Sequence, residues 1–188
     1  MDIFKPQEHL LGARVVLIRR DDCYEEEMLS AINESRTELR EYLFWVDNTK
    51  DLSDVKKATQ IFQKQWDDNV AWGYNIYQRD TLELIGTISA HNIQFKNQSV
   101  ELGYWLRTSK THQGYMKEAI HVLEEELFNQ GIHRITICCD VFNKKSSKTA
   151  IRAGYKFESV AKEAVYHHTG LHDLETYVKF NPCHQRGF

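Results

Sequence analysis

The sequence predicts an α+β fold: a mixed, mostly antiparallel sheet of about seven strands, flanked by helices on both faces. Three observations carry that expectation. The apolar period changes from 3.6 to 2 near Ala71. Three consecutive strands then follow with only short connections, as in an antiparallel meander. A long amphipathic helix separates the third of these from a fourth strand, a crossover that builds one parallel pair into the sheet. Length and composition agree. A chain of 188 residues, 41% hydrophobic and 27% charged, fits one globular domain over residues 1–188. Such a chain buries roughly 70% of its unfolded surface and needs no disulfide or metal to hold a core.

Residues 13–20, rich in Val and Ile between Gly12 and Asp21-Asp22, read as the first strand. Asp21 or Asp22 is the expected cap of the next helix, with Glu25, Glu26 and Glu27 near its positive end and Met28, Leu29 and Ile32 on its apolar face. A second short helix is expected around residues 39–43, and residues 42–45 read as a packed aromatic loop end. Ser53 is read as the cap of a longer helix carrying Val55, Ala58, Thr59, Phe62 and Trp66. From Ala71, Trp72, Tyr74 and Ile76 alternate with Gly73, Asn75 and Tyr77. Residues 82–93 return after an Arg79-Asp80 turn, and residues 99–107 follow a second turn. The helix over residues 113–130 carries Met116, Ala119, Ile120, Leu123 and Leu127 on one stripe and ends at Gly131. A strand over residues 133–141 and a short helix over residues 144–153, stopped by Gly154, come next. Residues 155–167 and 171–179 close the chain as a hairpin around His168-Thr169-Gly170.

Several function classes fall away. Mean hydropathy is −0.56, and no apolar run approaches the ~18 residues of a spanning helix, so no membrane association is expected. The start, Met1-Asp2-Ile3-Phe4-Lys5-Pro6, lacks a basic segment followed by an apolar stretch, which points to a cytoplasmic protein. Cys23, Cys138, Cys139 and Cys183 form no C-x-x-C pair, and the adjacent pair in an apolar strand reads as reduced. A net charge of −3 and a pI near 6.3 disfavour nucleic acid as a partner. The charge is uneven, however: residues 21–68 hold 13 acids against 6 bases, and residues 131–162 hold 7 bases against 2 acids. The basic stretch is either a solvated face or a site for a polyanion.

The informative junction runs from Glu101 to Ala119, where a strand leads through a polar loop containing Gly114 into a helix N-terminus. Unpaired amides and the helix dipole suit a phosphate there. The loop lacks both the P-loop pattern and the three glycines of a dinucleotide fingerprint. Gln113-Gly114-Tyr115-Met116-Lys117-Glu118-Ala119 after Gly-Tyr-Trp-Leu resembles the acetyl-CoA loop of GNAT N-acetyltransferases. Asn143-Lys-Lys-Ser146, Ala153-Gly154-Tyr155 and Gly170-Leu-His172-Asp173-Leu174 resemble the RimJ/RimL branch, which acetylates ribosomal-protein N-termini.

That resemblance implies a GNAT fold whose two parallel strands, residues 99–107 and 133–141, splay apart. Acetyl-CoA is the implied cosubstrate, with no metal. Its pantetheine would lie on the backbone of Tyr104, Trp105 and Leu106. Its diphosphate would rest on the amides of Gln113, Gly114, Tyr115, Met116 and Lys117, and its 3′-phosphate near the basic segment containing Lys148. Thr111 and Met116 depart from the family's usual residues. A homodimer is common in the family.

The implied reaction is direct attack of an amine on the thioester with both substrates bound. At pH 7.5 an α-amine of pKa about 7.7–8.0 is already a quarter to two-fifths neutral, against about one part in a thousand for lysine. A protein N-terminus therefore asks less of a base. Glu101 is the first candidate base, or merely a paired carboxylate. Where some family members carry a base, this chain has Val165, with Glu163 two residues earlier. An amide near Trp105 or Leu106 would hold the oxyanion. Ser146 is the family-matched acid for the thiolate and Asn143 would orient pantetheine or water; both residue types also cap helices. Phe44 and Trp45 line an acceptor groove or simply pack. His167, His168 and His172 with Asp173 surround the hairpin turn without a matched metal-ligand set, and His172 is expected to shape the acceptor pocket. Cys139 reads as a small buried hydrophobe in preference to a nucleophile. Two alternatives stand beside a ribosomal-protein acceptor: a polyamine or aminoglycoside acetyltransferase, and a non-catalytic CoA-binding regulatory domain.

Overall fold

A computed structural model describes residues 5–21, 24–167 and 169–183. In chain order the elements are β1 (His9–Leu11), β2 (Val15–Arg19), α1 (Glu25–Leu39), a 3-10 turn (Phe44–Asn48), α2 (Leu52–Asp67), β3 (Trp72–Gln78) and β4 (Leu84–Gln94). Then come β5 (Ser99–Leu106), α3 (Tyr115–Asn129), β6 (Arg134–Asp140), α4 (Lys144–Arg152), β7 (Lys156–His167) and β8 (Gly170–Phe180). All eight strands form one sheet in the order β1-β2-β3-β4-β5-β6-β8-β7. Every neighbouring pair is antiparallel except β5 with β6. The strand added to the expected seven is β1, whose three residues bury only Leu10 and are too few to display an alternation.

The sheet separates two apolar clusters. On one face Met116, Ala119, Ile120, Leu123 and Leu127 of α3 pack with Val15, Leu17, Ile76, Ile85, Ile88, Val100 and Leu102. The expected helical stripe is thus wholly buried, each Leu, Ile or Met side chain contributing roughly 1.5–3 kcal/mol. On the other face Met28, Ala31 and Ile32 of α1 pack with Val46, Val55, Tyr77, Leu84 and Trp105.

Three local expectations are corrected. The residue preceding α1 is Tyr24, which makes no side-chain cap bond; Asp22 and Cys23, like His168, lie outside the described residues. No helix forms over residues 39–43: α1 runs to Leu39 and the chain folds back. The Arg36 guanidinium donates to the carbonyls of Val46 at 2.5 Å and Thr49 at 2.7 Å, which closes that bend as a 3-10 turn instead. The cap of α2 is Asp51, not Ser53. Its Oδ1 accepts the amides of Ser53 at 2.8 Å and Asp54 at 3.2 Å, satisfying two first-turn donors.

The acids of α1 position the next part of the chain. Glu34 accepts the Ser109 amide at 3.1 Å and pairs with Arg107 at 3.1 Å. Hydrogen bonds from Ser109, then the Arg107 charge, hold its carboxyl below the usual range. Arg107 also reaches Glu83 at 2.9 Å, and the Ser35 hydroxyl accepts the Thr108 amide at 2.9 Å. The segment leading from β5 into α3 is therefore pinned at its start.

Candidate active site

The sheet opens at its parallel pair. β5 and β6 pair from Ser99 with Arg134 to Leu102 with Ile137 and no further, although β5 continues to Leu106 and β6 to Asp140. Each strand keeps its outer neighbour above that point: residues 103–106 pair with β4 and residues 138–140 with β8. Only the two inward edges are left, with backbone groups able to bond an extended ligand as a strand would. A cavity of about 170 Å³ occupies the fork, with Gly103, Tyr104, Cys139, Asp140, Ser146 and His167 among its walls.

Side chains alternate across the fork. Tyr104 and Cys139 lie on the α3–α4 face, where the Tyr104 hydroxyl stands 3.1 Å from Ser146 Oγ. Ser146 donates its amide to Asn143 Oδ1 at 3.1 Å, so Asn143 caps α4 while the Ser146 residue fronts the cavity. Burial pushes the Cys139 thiol up to about 11; burial and the Glu101 charge do the same to Cys138. Both stay protonated near neutral pH, without the thiolate a nucleophile needs.

Glu101, Cys138 and Asp140 take the opposite face. Glu101 accepts the Asn92 side-chain amide at 3.0 Å and is not among the cavity walls. Asp140 is 5% exposed and fully engaged. Its Oδ1 accepts the Phe142 amide at 2.7 Å, and its Oδ2 lies 2.6 Å from His172 Nδ1 and 2.9 Å from His167 Nε2. The donor atoms of these three side chains lie within 4.8 Å of one another. Tetrahedral zinc with bonds of about 2.0–2.1 Å separates its ligands by roughly 3.3 Å. The 2.6 Å spacing to His172 is that of a hydrogen bond and the 2.9 Å spacing to His167 that of an ion pair.

At the start of α3, Gly114 adopts φ +84, a left-handed turn that favours glycine. The first-turn amides of Tyr115, Met116 and Lys117 follow without intrahelical acceptors. Arg14 braces this corner, donating to Glu118 Oε2 at 2.9 Å and to the Gln113 carbonyl at 3.1 Å, with its guanidinium 4.9 Å from the Tyr115 ring centre. Met116 is buried in the core and Thr111 closes a turn onto the Thr108 carbonyl at 2.8 Å, so neither unusual side chain obstructs the amides. Lys148 is exposed on α4.

The acceptor-side residues fall differently from expectation. Phe44 is 74% exposed and Trp45 packs 6.1 Å from Trp105; the cavity walls are instead Tyr42 and Leu43, just before them. His172 stands behind Asp140, outside the walls. Asp173 braces the hairpin, pairing with Lys162 at 2.7 Å and accepting the Glu163 amide at 3.0 Å. A register shift between Ala161 and Val165 breaks the strand alternation, and Glu163, at φ +49, is exposed away from Val165, which does line the cavity. Sequence reasoning missed Tyr42 and Asp140. A signal for Asp140 existed: it is the one acid in the apolar strand and alternates with Cys139.

Comparisons with known proteins agree with this architecture. Residues 16–156 match the family model described as the acetyltransferase (GNAT) domain. The chain is 30% identical over 149 residues to the ribosomal-protein-serine acetyltransferase of Escherichia coli K12, covering 79% of this chain and 82% of that protein. Among solved structures it superposes with a TM-score of 0.85 and 25% identity on the microcin C7 self-immunity acetyltransferase MccE, in complex with acetyl-CoA and AMP, covering 90% of this chain and 93% of that one. The ribosomal L7/L12 α-N-protein acetyltransferase RimL in complex with coenzyme A shares the fold, with a TM-score of 0.86 at 24% identity over 92% of this chain and 98% of that one. No helix among the described residues is long and apolar enough to cross a membrane. With the forked parallel pair, the capped corner before α3 and the family match in hand, the chain belongs to the GNAT family and is an N-acetyltransferase with acetyl-CoA as its donor.

Proposed function

We propose that this enzyme acetylates the α-amino group of a protein N-terminus, with a ribosomal protein as acceptor, by direct attack on the thioester in a ternary complex. It would act as one domain over residues 1–188, in the cytoplasm. The observation that carries the reading is the parting of β5 and β6 after Leu102 and Ile137, which leaves a slot for an extended thioester carrier. The 30% identity to a ribosomal-protein-serine acetyltransferase supports the acceptor class.

In this reading pantetheine lies along Tyr104, Trp105 and Leu106, whose amides include the oxyanion donor. The diphosphate rests on the amides of residues 113–117, with Lys148 near the 3′-phosphate. Ser146 protonates the departing thiolate and Asn143 fixes Ser146 from the helix cap. A polycationic acceptor has weaker support, because several of the acids that suggested it are engaged within the protein. Glu27 accepts the Leu84 amide, Glu34 holds Arg107, and Asp51 caps α2.

The test is release of CoA thiol from acetyl-CoA across peptides beginning with Ser, Ala or Met, with spermidine and an aminoglycoside alongside. Turnover with the peptides is expected. Turnover with spermidine or the aminoglycoside alone reassigns the acceptor, and tight acetyl-CoA binding without turnover on any amine replaces the enzyme by a CoA-binding domain.

A further inference from the structure

We propose that His167 takes the proton given up by the attacking amine, and that Asp140 and His172 are positioning residues for it. This inference rests on the amine-acetylating activity proposed for the same site. His167 and Asp140 both wall the cavity at the fork, on the side of the sheet facing α1 and its following segment. Tyr42, from that segment, meets the His167 ring edge-on at 6.2 Å. The position where the family pattern places a base is Val165, a wall without a titratable group. The imidazole two residues further along the same strand supplies one.

A hydrogen bond fixes the protonation of His172. A carboxylate only accepts, so His172 carries its hydrogen on Nδ1, toward Asp140 Oδ2 at 2.6 Å. Its Nε2 is then free to accept from the Thr169 hydroxyl, 2.6 Å away. The same Asp140 oxygen lies 2.9 Å from His167 Nε2, an ion-pair distance without hydrogen-bond geometry, and Nε2 has no hydrogen-bond partner among the described residues, so this contact becomes strong only when the ring takes up a proton. A buried carboxylate behind an imidazole stabilises the imidazolium that forms when the ring accepts a proton.

The step balances. The amine nitrogen bonds to the thioester carbon, and the carbonyl electron pair moves to oxygen. The nitrogen, now positive, gives one proton to His167. The oxygen pair returns, the C–S bond breaks, and the thiolate gains one proton from Ser146. His167 loses its proton to solvent and Ser146 regains one, leaving an amide and a free thiol.

Among the described residues, the titratable groups on this side of the cavity with His167 are Asp140 and Cys138 from β6, His172 from β8 and Tyr42 from the segment after α1. Burial, then the charges of Glu41 and Asp140, push the Tyr42 hydroxyl up, so it stays neutral while a histidine titrates. Because the substrate α-amine, of pKa about 7.7–8.0, gives an acid limb of its own, the limb that tests His167 is the part wild type shows and a His167 variant lacks with the same peptide.

The experiment measures thiol release with acetyl-CoA and a Ser-initiated peptide, from about pH 5.5 to 8.5, for wild type, H167Q, H167N, D140N and E101Q. H167Q is expected to lower kcat about 100-fold and to lose the acid limb, with acetyl-CoA affinity by calorimetry unchanged and activity partly restored by added imidazole. D140N should lower kcat while leaving acetyl-CoA affinity unchanged, and E101Q should keep the acid limb. A kcat profile that keeps its wild-type shape in H167Q with the peptide saturating, or an acid limb abolished by E101Q alone, overturns the proposal while leaving the acetyltransferase intact. No thiol release by wild type with any amine overturns both. If neither His167 variant folds, wild type decides: a kcat independent of pH over this range overturns the assignment. So does a stoichiometric divalent metal whose removal by chelation abolishes activity.

Discussion

The lower and upper halves of the β5–β6 pair share strands and outer neighbours, yet one half is zipped and the other parted. In the zipped half Val100, Leu102, Ile135 and Ile137 are all at most 2% exposed, and the Gln98 carbonyl accepts the amides of both His133 and Arg134 beneath them. In the parted half polar side chains join the apolar walls, among them Asp140, Asn143 and Ser146. Neither upper strand is stranded, because β4 still bonds residues 103–106 and β8 still bonds residues 138–140. The lesson is that a sheet can open between two strands at the cost of one backbone edge each, provided that both have a second partner. Gly86 supplies a cause for the direction of opening. It pairs with Leu106, and a Cβ there would stand 2.2 Å from the Trp105 carbonyl oxygen and 2.9 Å from Leu106 Cα. β5 approaches β4 closely at that point, a lean that a side chain at Gly86 would not permit.

The strongest way to break this comparison is Gly86→Val. The clash is with backbone, which cannot swing aside as a side chain can, so β5 must move toward β6. A loss of about 3 kcal/mol by urea denaturation is expected, together with loss of acetyl-CoA binding by calorimetry. Gly103→Ala is the mild control, since its Cβ would meet side-chain atoms alone, the His91 ring at 3.0 Å and Ser89 Oγ at 3.7 Å. Acetyl-CoA binding retained in Gly86→Val would show that the fork does not depend on the lean.

Ser146→Ala addresses the chemistry of the parted half. Its Oγ contacts the Tyr104 hydroxyl, while the Asn143 cap bonds to its backbone amide, which alanine keeps. A fall in kcat of about 100-fold is expected, with melting temperature and acetyl-CoA Kd little changed. An unchanged kcat would leave Ser146 as part of the α4 cap. Gly114→Ala comes next: φ +84 strains any L side chain, but Arg14, at 3.4 Å from the new Cβ, has room to shift. A loss of about 1 kcal/mol in stability is expected, with several-fold weaker acetyl-CoA binding as the corner before α3 deforms.

Most of the element order was legible because period, glycine position and strand length are local properties of the chain. The stripe on α3 and the alternation of Trp72, Tyr74 and Ile76 needed no tertiary information. What failed was decided by distant partners. Arg36 reaches across to two carbonyls and turns an expected helix into a 3-10 bend. Asp51 outcompetes Ser53 for the cap by standing one residue before the first helical position. The site divides likewise. Gly114, Asn143 and Ser146 sit on local motifs and could be named in advance. Asp140 meets His172 and His167 only through the β6–β8 pairing and the closing hairpin, so their contact is invisible until the register is known.

The smallest expected effect sharpens the comparison from the zipped side. Thr136 pairs with Glu101 across β5 and β6, and its hydroxyl donates to the Val100 carbonyl at 3.3 Å. Thr136→Val keeps the branched shape suited to a strand and removes that one long bond. A net hydrogen bond is worth about 1 kcal/mol at its mean geometry, and a 3.3 Å bond beside an exchanged methyl should amount to about 0.5 kcal/mol. The melting temperature should therefore move by only a few degrees. Because the fork begins above Leu102 and Ile137, acetyl-CoA affinity and kcat should both stay at wild-type values. A change in affinity larger than the change in stability would mean that the two halves move as one, and that the opening is set by the strength of the zip below it as well as by the lean at Gly86.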